Sequence, residues 1–100
     1  MAQVAGGLGS EKVATPEVQK ICDEVKPHVE QKTKKKFAVF VAKSFKTQVV
    51  AGTNYFIKVH VGGNDYLHLR VFKPLPHTGR QLELNGVQTG KTHTELITYF

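Results

Sequence analysis

The sequence predicts an α+β fold, with one N-terminal α-helix packed across a four- to five-stranded antiparallel β-sheet. An early stripe of apolar residues at helical spacing predicts the helix, and a later shift to two-residue alternation predicts the strands. Turn-forming residues between the alternating segments make the strands a meander. One hundred residues leave room for one core, so residues 1–100 are expected to form a single domain.

Residues 1–14 read as a flexible arm, because Gly6, Gly7, Gly9 and Ser10 are too permissive for a regular element. A short edge strand just ahead of the helix stays open. The helix starts at Thr15-Pro16-Glu17, where Thr15 caps, Pro16 suits the first helical position and Glu17 complements the helix dipole. Val18, Ile21, Cys22, Val25 and Val29 then fall on one face. Pro27 removes one backbone hydrogen bond, so a single bent helix is predicted to about Lys32.

Alternation begins at Phe37 and predicts a long strand to Gln48. In the next strand Tyr55, Ile57, Val59 and Val61 share one face, with Phe56, Lys58 and His60 on the other. Gly62-Gly63-Asn64-Asp65 turns the chain into a third strand carrying Leu67, Leu69 and Val71 opposite His68 and Arg70. Pro74 and Pro76 with Gly79 end it. Residues 81–92 read as irregular, anchored by Leu82, Leu84 and Val87, and residues 95–100 as a final edge strand.

Composition narrows the function classes. No apolar run reaches bilayer length, and no basic residue precedes a hydrophobic block in the first ten residues. The expectation is a soluble chain without a signal peptide. Cys22 is the only cysteine, so no internal disulfide can form, and a reducing cytosolic or nuclear setting is the simpler reading. Because Cys22 sits in the apolar stripe, it reads as a buried, inert thiol.

The five histidines show no metal-ligand spacing. His60 and His68 can face each other across the hairpin, but two imidazoles make a weak zinc site, and solvated strand histidines are expected. No phosphate-binding glycine loop is present and no carboxylate pair marks a cleft, so neither enzyme activity nor a cofactor or metal is expected. The net charge of +6 draws much from Lys32, Lys34, Lys35 and Lys36. Lysines at a helix end suit the dipole, while a patch for nucleic acid or acidic surfaces stays open as the rival. A strip of Phe56, Lys58, Tyr66 and Arg70 keeps that rival alive. A self-associating scaffold is the other alternative.

The unusual feature is Gln48-Val49-Val50-Ala51-Gly52. It lies between two strands, yet its tip is apolar and holds two β-branched residues that resist positive φ. An exposed apolar tip suits burial in a partner. With Thr53-Asn54-Tyr55-Phe56 behind it, this segment resembles the Gln-Val-Val-Ala-Gly signature of the cystatin superfamily. Leu75-Pro76-His77 is similar to the second binding loop of the stefin branch. Gly6-Gly7-Leu8 is similar to that branch's N-terminal glycine region, and Ala14-Thr15-Pro16-Glu17 to its helix start. The likeness runs in order over nearly the whole chain.

The resemblance implies a reversible, tight-binding, non-covalent inhibitor of papain-like cysteine proteases of the cathepsin type. Its wedge would have three parts: the arm at Val4, Ala5, Gly6, Gly7 and Leu8; the loop at Gln48, Val49, Val50, Ala51 and Gly52; and the loop at Leu75, Pro76 and His77. Gly6 would let the chain pass close to the enzyme's cysteine. No membrane or specific nucleic acid is expected as a partner, and the expected state is a monomer able to form a domain-swapped dimer hinged at Val49 and Val50. The expected location is the cytoplasm, with the nucleus open.

Overall fold

The computed structural model describes residues 8–100. One helix lies across a five-stranded sheet of order β1-β2-β3-β4-β5, antiparallel throughout. The strands are β1 (Lys12–Val13), β2 (Val41–Val50), β3 (Gly52–His60), β4 (Tyr66–Lys73) and β5 (Glu83–Lys91), and the helix is α1 (Pro16–Thr33).

Helix α1 begins as its sequence dictates. Thr15 has extended backbone, its Oγ1 accepts from the Val18 N–H at 3.2 Å, and Pro16 fills the first helical position. The helix continues through Pro27 and ends at Lys34 in left-handed conformation, with the Lys34 N–H donating to the Glu30 carbonyl. The lysine cluster thus sits at a helix C-terminus, where cations oppose the dipole. Lys36 also pairs with Glu30 at 3.9 Å. The predicted stripe is the buried face: Val18, Ile21, Cys22, Val25 and Val29 pack on Ile57, Val59, Leu67, Leu69 and Val71. Burial there, reinforced by the Asp23 charge, pushes the Cys22 thiol up to about 12, so it stays protonated and unreactive at neutral pH.

Three parts differ from the sequence expectation. The long strand starts at Val41 rather than Phe37. Residues 37–40 instead fasten strand to helix: the Phe37 N–H donates to the Glu30 carboxylate, and the Gln19 amide bonds both the Phe40 carbonyl and the Ala42 N–H. The stretch expected to be irregular contains β5. Register shifts opposite Tyr66/His68 and Arg70/Val71 break its alternation, which hides it from a period-two reading. Residues 95–100 form no strand.

Those C-terminal residues cover the sheet face opposite the helix. Lys46 donates to the Ile97 carbonyl at 2.8 Å, Lys58 to the His93 carbonyl at 2.7 Å and Arg70 to the Phe100 carbonyl at 2.6 Å. Carbonyls that would bond a neighbouring strand are therefore satisfied by cations rising from the sheet. Ile97 is fully buried, and Phe56 packs against Tyr99 and Phe100 with centroids 5.6 and 5.7 Å away. Phe56, Lys58 and Tyr66 of that strip are thus buried and Arg70 is half-buried, so it offers no open platform for stacking bases. His68 is a correction of the same kind. It stands opposite Lys58 rather than His60, and it is fully buried rather than solvated. No group able to hold a metal occurs among the described residues.

Candidate functional site

The sheet register gathers the candidate residues at one end of the molecule. Strand β2 runs to Val50, Ala51 makes the turn, and Gly52 begins β3 paired back to Val50. Thr53 stands opposite Lys73, the last residue of β4, so the segment after β4 leaves the sheet beside that first tip. Residues 76–78 form one 3-10 turn, closed by the Thr78 N–H donating to the Leu75 carbonyl at 3.1 Å, with the Thr78 hydroxyl donating to the same oxygen at 2.8 Å. Ahead of β1, the Gly9 N–H donates to the Thr47 carbonyl at 2.9 Å. That bond brings Leu8 and the root of the arm alongside β2, close below its tip. Val4, Ala5, Gly6 and Gly7 lie outside the described residues.

The exposure of the predicted residues divides them. Val49 is 78% exposed and Val50 44%, and Ala51 is exposed too. Leu75 is 39% exposed, with Pro76 and His77 open to solvent beside it. These form two apolar tips side by side. Gln48 is only 5% exposed, and its Oε1 accepts from the Asn54 Nδ2 at 2.8 Å. Gly52 is buried at φ +125°. Gln48 and Gly52 therefore shape the first tip, and the residues between them present it.

The valines do not carry the backbone strain their β-branching suggested. Among the described residues the only non-glycine at positive φ is Lys34, and in the hairpin Gly52 alone takes that conformation. The positive φ beside the Ala51 turn is taken by the glycine suited to it, which leaves the valines extended.

The second tip is tied to the helix as well as to the sheet. Lys73 Nζ donates to the Glu17 carboxylate at 2.9 Å, joining the end of β4 to the first turn of α1. That hydrogen bond and the ammonium charge hold the Glu17 carboxyl below its ordinary range. The pair is partly solvated and stabilises little by itself, but it sets a direction for the stem.

Sequence reasoning missed a further group. Gln48, Asn54, Phe72 and Glu83 stand in register across β2, β3, β4 and β5, forming a transverse row just beneath both tips. Arg80, on the return from the second tip, lies over the Phe72 ring at 5.6 Å from its centroid and pairs with the Glu83 carboxylate. Only the register, fixed by the β4–β5 bulges, reveals this row.

Comparisons with known proteins identify the family. A cystatin domain model matches residues 6–94. Cystatin-B of Oplegnathus fasciatus is 52% identical over 100 residues, covering all of both chains. Leukocyte cysteine proteinase inhibitor 1 of Sus scrofa is 53% identical over 97 residues, covering 97% of this chain and 94% of that protein. Cystatin-B of Homo sapiens is 53% identical over 97 residues, covering 97% and 99%. A helix laid across a five-stranded antiparallel sheet, two apolar tips at one end of that sheet and full-length similarity to these proteins together place the chain in the cystatin family.

Proposed function

We propose that the chain is a reversible, tight-binding, non-covalent inhibitor of papain-like cysteine proteases, cathepsins among them, and not an enzyme. The observation that carries this reading is the pair of exposed apolar tips, Val49-Val50-Ala51 and Leu75-Pro76-His77, held side by side at the end of a buried sheet. The name of the porcine relative, a cysteine proteinase inhibitor, supports it.

The physics is that of a preorganised wedge. Two small tips fixed by strand pairing fill apolar subsites with little ordering cost on binding. Val49, Val50, Ala51, Leu75 and Pro76 supply contact area, and the His77 ring adds a contact or a hydrogen bond. Gln48 and Gly52 act by holding the first tip in shape. Val4, Ala5, Gly6, Gly7 and Leu8 form the third part, with Gly6 where the chain passes the enzyme's cysteine. No scissile bond needs to align, so binding is governed largely by dissociation. No cofactor or metal enters the mechanism. The proposed setting is the cytoplasm; among the described residues no helix is long and apolar enough to cross a membrane.

Titration of active papain-like enzymes, an exopeptidase-type member among them, tests this. The expected result is one-to-one reversible inhibition, with serine proteases unaffected. Recovery of the chain cut as an ordinary substrate, without a stable complex, overturns the reading.

We also propose that the protein is a monomer able to swap domains through this hairpin. Opening the loop at Val49 and Val50 would merge β2 and β3 into one long strand and remove the first tip. Heating followed by size-exclusion chromatography is expected to give a dimer that no longer inhibits. A dimer peak with full inhibition excludes this hinge.

A further inference from the structure

We infer that Phe72 and Arg80 are positioning residues that clamp the two apolar tips at a fixed separation. Nothing in the sequence pattern assigns them this role, and neither belongs to a tip.

The Phe72 ring contacts the first loop and the segment that returns from the second. At the first loop, a β-carbon on Gly52 would sit 2.9 Å from Phe72 Cε1 and Cζ, so the ring packs directly on the glycine backbone. The Arg80 guanidinium, delivered by the chain as it returns from the second loop, lies over the same ring at 5.6 Å from its centroid. Arg80 is held over the ring by its pair with Glu83 on β5, and its backbone N–H donates to the Thr78 hydroxyl at 3.3 Å. Thr78 in turn closes the second tip on the Leu75 carbonyl. A continuous chain of contacts therefore runs from Gly52 through Phe72 and Arg80 to Thr78 and Leu75.

The row beneath it explains why this clamp can be stiff. Asn54, bonded to Gln48, and Glu83, bonded to Arg80, flank Phe72 on the neighbouring strands. A displacement of either tip disturbs the half-buried Phe72 ring or the solvent-exposed Arg80–Glu83 pair, and the buried Gln48–Asn54 hydrogen bond stiffens the row beside them. A cleft contacted by two tips reads their separation, so loss of the clamp raises the ordering cost of binding without removing any contact atom.

This inference rests on the proposed inhibitory reading, and its test separates the two. Phe72→Leu is expected to raise the dissociation rate from papain about tenfold. Arg80→Met should raise it by about two- to fivefold, as for loss of an exposed cation–π contact, with Arg80→Lys recovering part of it. Association rates stay within about twofold. In a Leu75→Gly, His77→Gly background, where the second tip is blunted, Arg80→Met should have no further effect. If it has its full effect there, Arg80 acts through general stability and the clamp is wrong. A second readout needs no protease: amide hydrogen exchange at residues 50–53 and at Thr78 of the free protein should quicken in both variants. Unchanged exchange overturns the clamp. If the unaltered protein fails to inhibit, the inhibitory reading falls and the exchange result alone judges the clamp.

Discussion

Gly52→Ala is expected to destabilise the protein by about 2–4 kcal/mol and to speed dissociation from a papain-like enzyme by at least about tenfold. Two causes act together. The residue sits at φ +125°, where a side chain is strained whatever the space around it. The space is also absent, because the new β-carbon would lie 2.6 Å from the Lys73 carbonyl oxygen. That oxygen is backbone at the end of β4, so it cannot rotate away. Relief requires moving the start of β3 away from β4, which opens the pairing at Thr53 and Lys73 and displaces the first tip.

The companion change is Val49→Ala. Val49 is largely exposed, so its loss should leave stability within about 0.5 kcal/mol while weakening binding through lost contact area. Denaturant unfolding and dissociation kinetics on both variants separate a residue that shapes the tip from one that forms it. Equal stability for Gly52→Ala and the unaltered protein would mean that the close approach to β4 is not maintained in solution.

That contrast marks the limit of the sequence reading. The helix was legible to within a residue at its ends, because Thr15, Pro16 and the stripe from Val18 to Val29 all act locally. Strands β3 and β4 were legible because their alternation meets one core face. Strand β5 was not, since its bulges take Leu84 and Val87 out of a simple period. The C-terminal residues, rich in apolar and β-branched side chains, suggest an edge strand, yet Lys46, Lys58 and Arg70 capture the carbonyls of Ile97, His93 and Phe100 from below, a tertiary arrangement that no local pattern encodes.

The candidate site divides in the same way. The apolar turn at Val49 and Val50 stood out because apolar residues at a turn are anomalous in themselves, whereas Leu75, Pro76 and His77 were marked out only by the family resemblance. The burial of Gln48 and the positions of Phe72 and Arg80 depend on which residues stand opposite one another across four strands. A sequence without its register does not contain that information in readable form.

His68 leads to the second large effect, a loss of stability on mild acidification. The side chain is fully buried on β4, and neither ring nitrogen has a hydrogen-bond partner among the described residues. Burial, and then the charges of Lys91 on β5 and Lys58 on β3, depress its pKa from 6.5 to about 4; Glu95 in the C-terminal segment and Glu11 ahead of β1 oppose the shift without cancelling it. The neutral ring is therefore the folded form. In the unfolded chain the imidazole takes a proton near pH 6.5, so the unfolded state binds more protons between about pH 6.5 and 4. The stabilisation from a neutral His68 is complete above pH 6.5, falls as pH drops through that window, and falls no further below about pH 4, where the folded state is protonated too.

The expected loss between pH 7 and 4.5 is about 1–3 kcal/mol, or roughly 5–15 °C in thermal midpoint for a domain of this size. Glu11, whose carboxyl is held below its ordinary range by the Ser44 hydroxyl, with Lys58 and Lys46 adding to the shift, contributes in a lower window, losing its stabilisation as pH falls below 4.5. The two can therefore be distinguished by where the slope lies. His68→Leu removes both the titration and the unpartnered nitrogens in an apolar side chain, so it should flatten the profile between pH 6.5 and 4.5 while leaving the steeper fall below it. Thermal midpoints of both proteins across pH 7.5 to 3.5 make the measurement. If His68→Leu keeps the original slope through the upper window, the proton is taken up elsewhere, and the ring under the C-terminal segment is not what acid acts on.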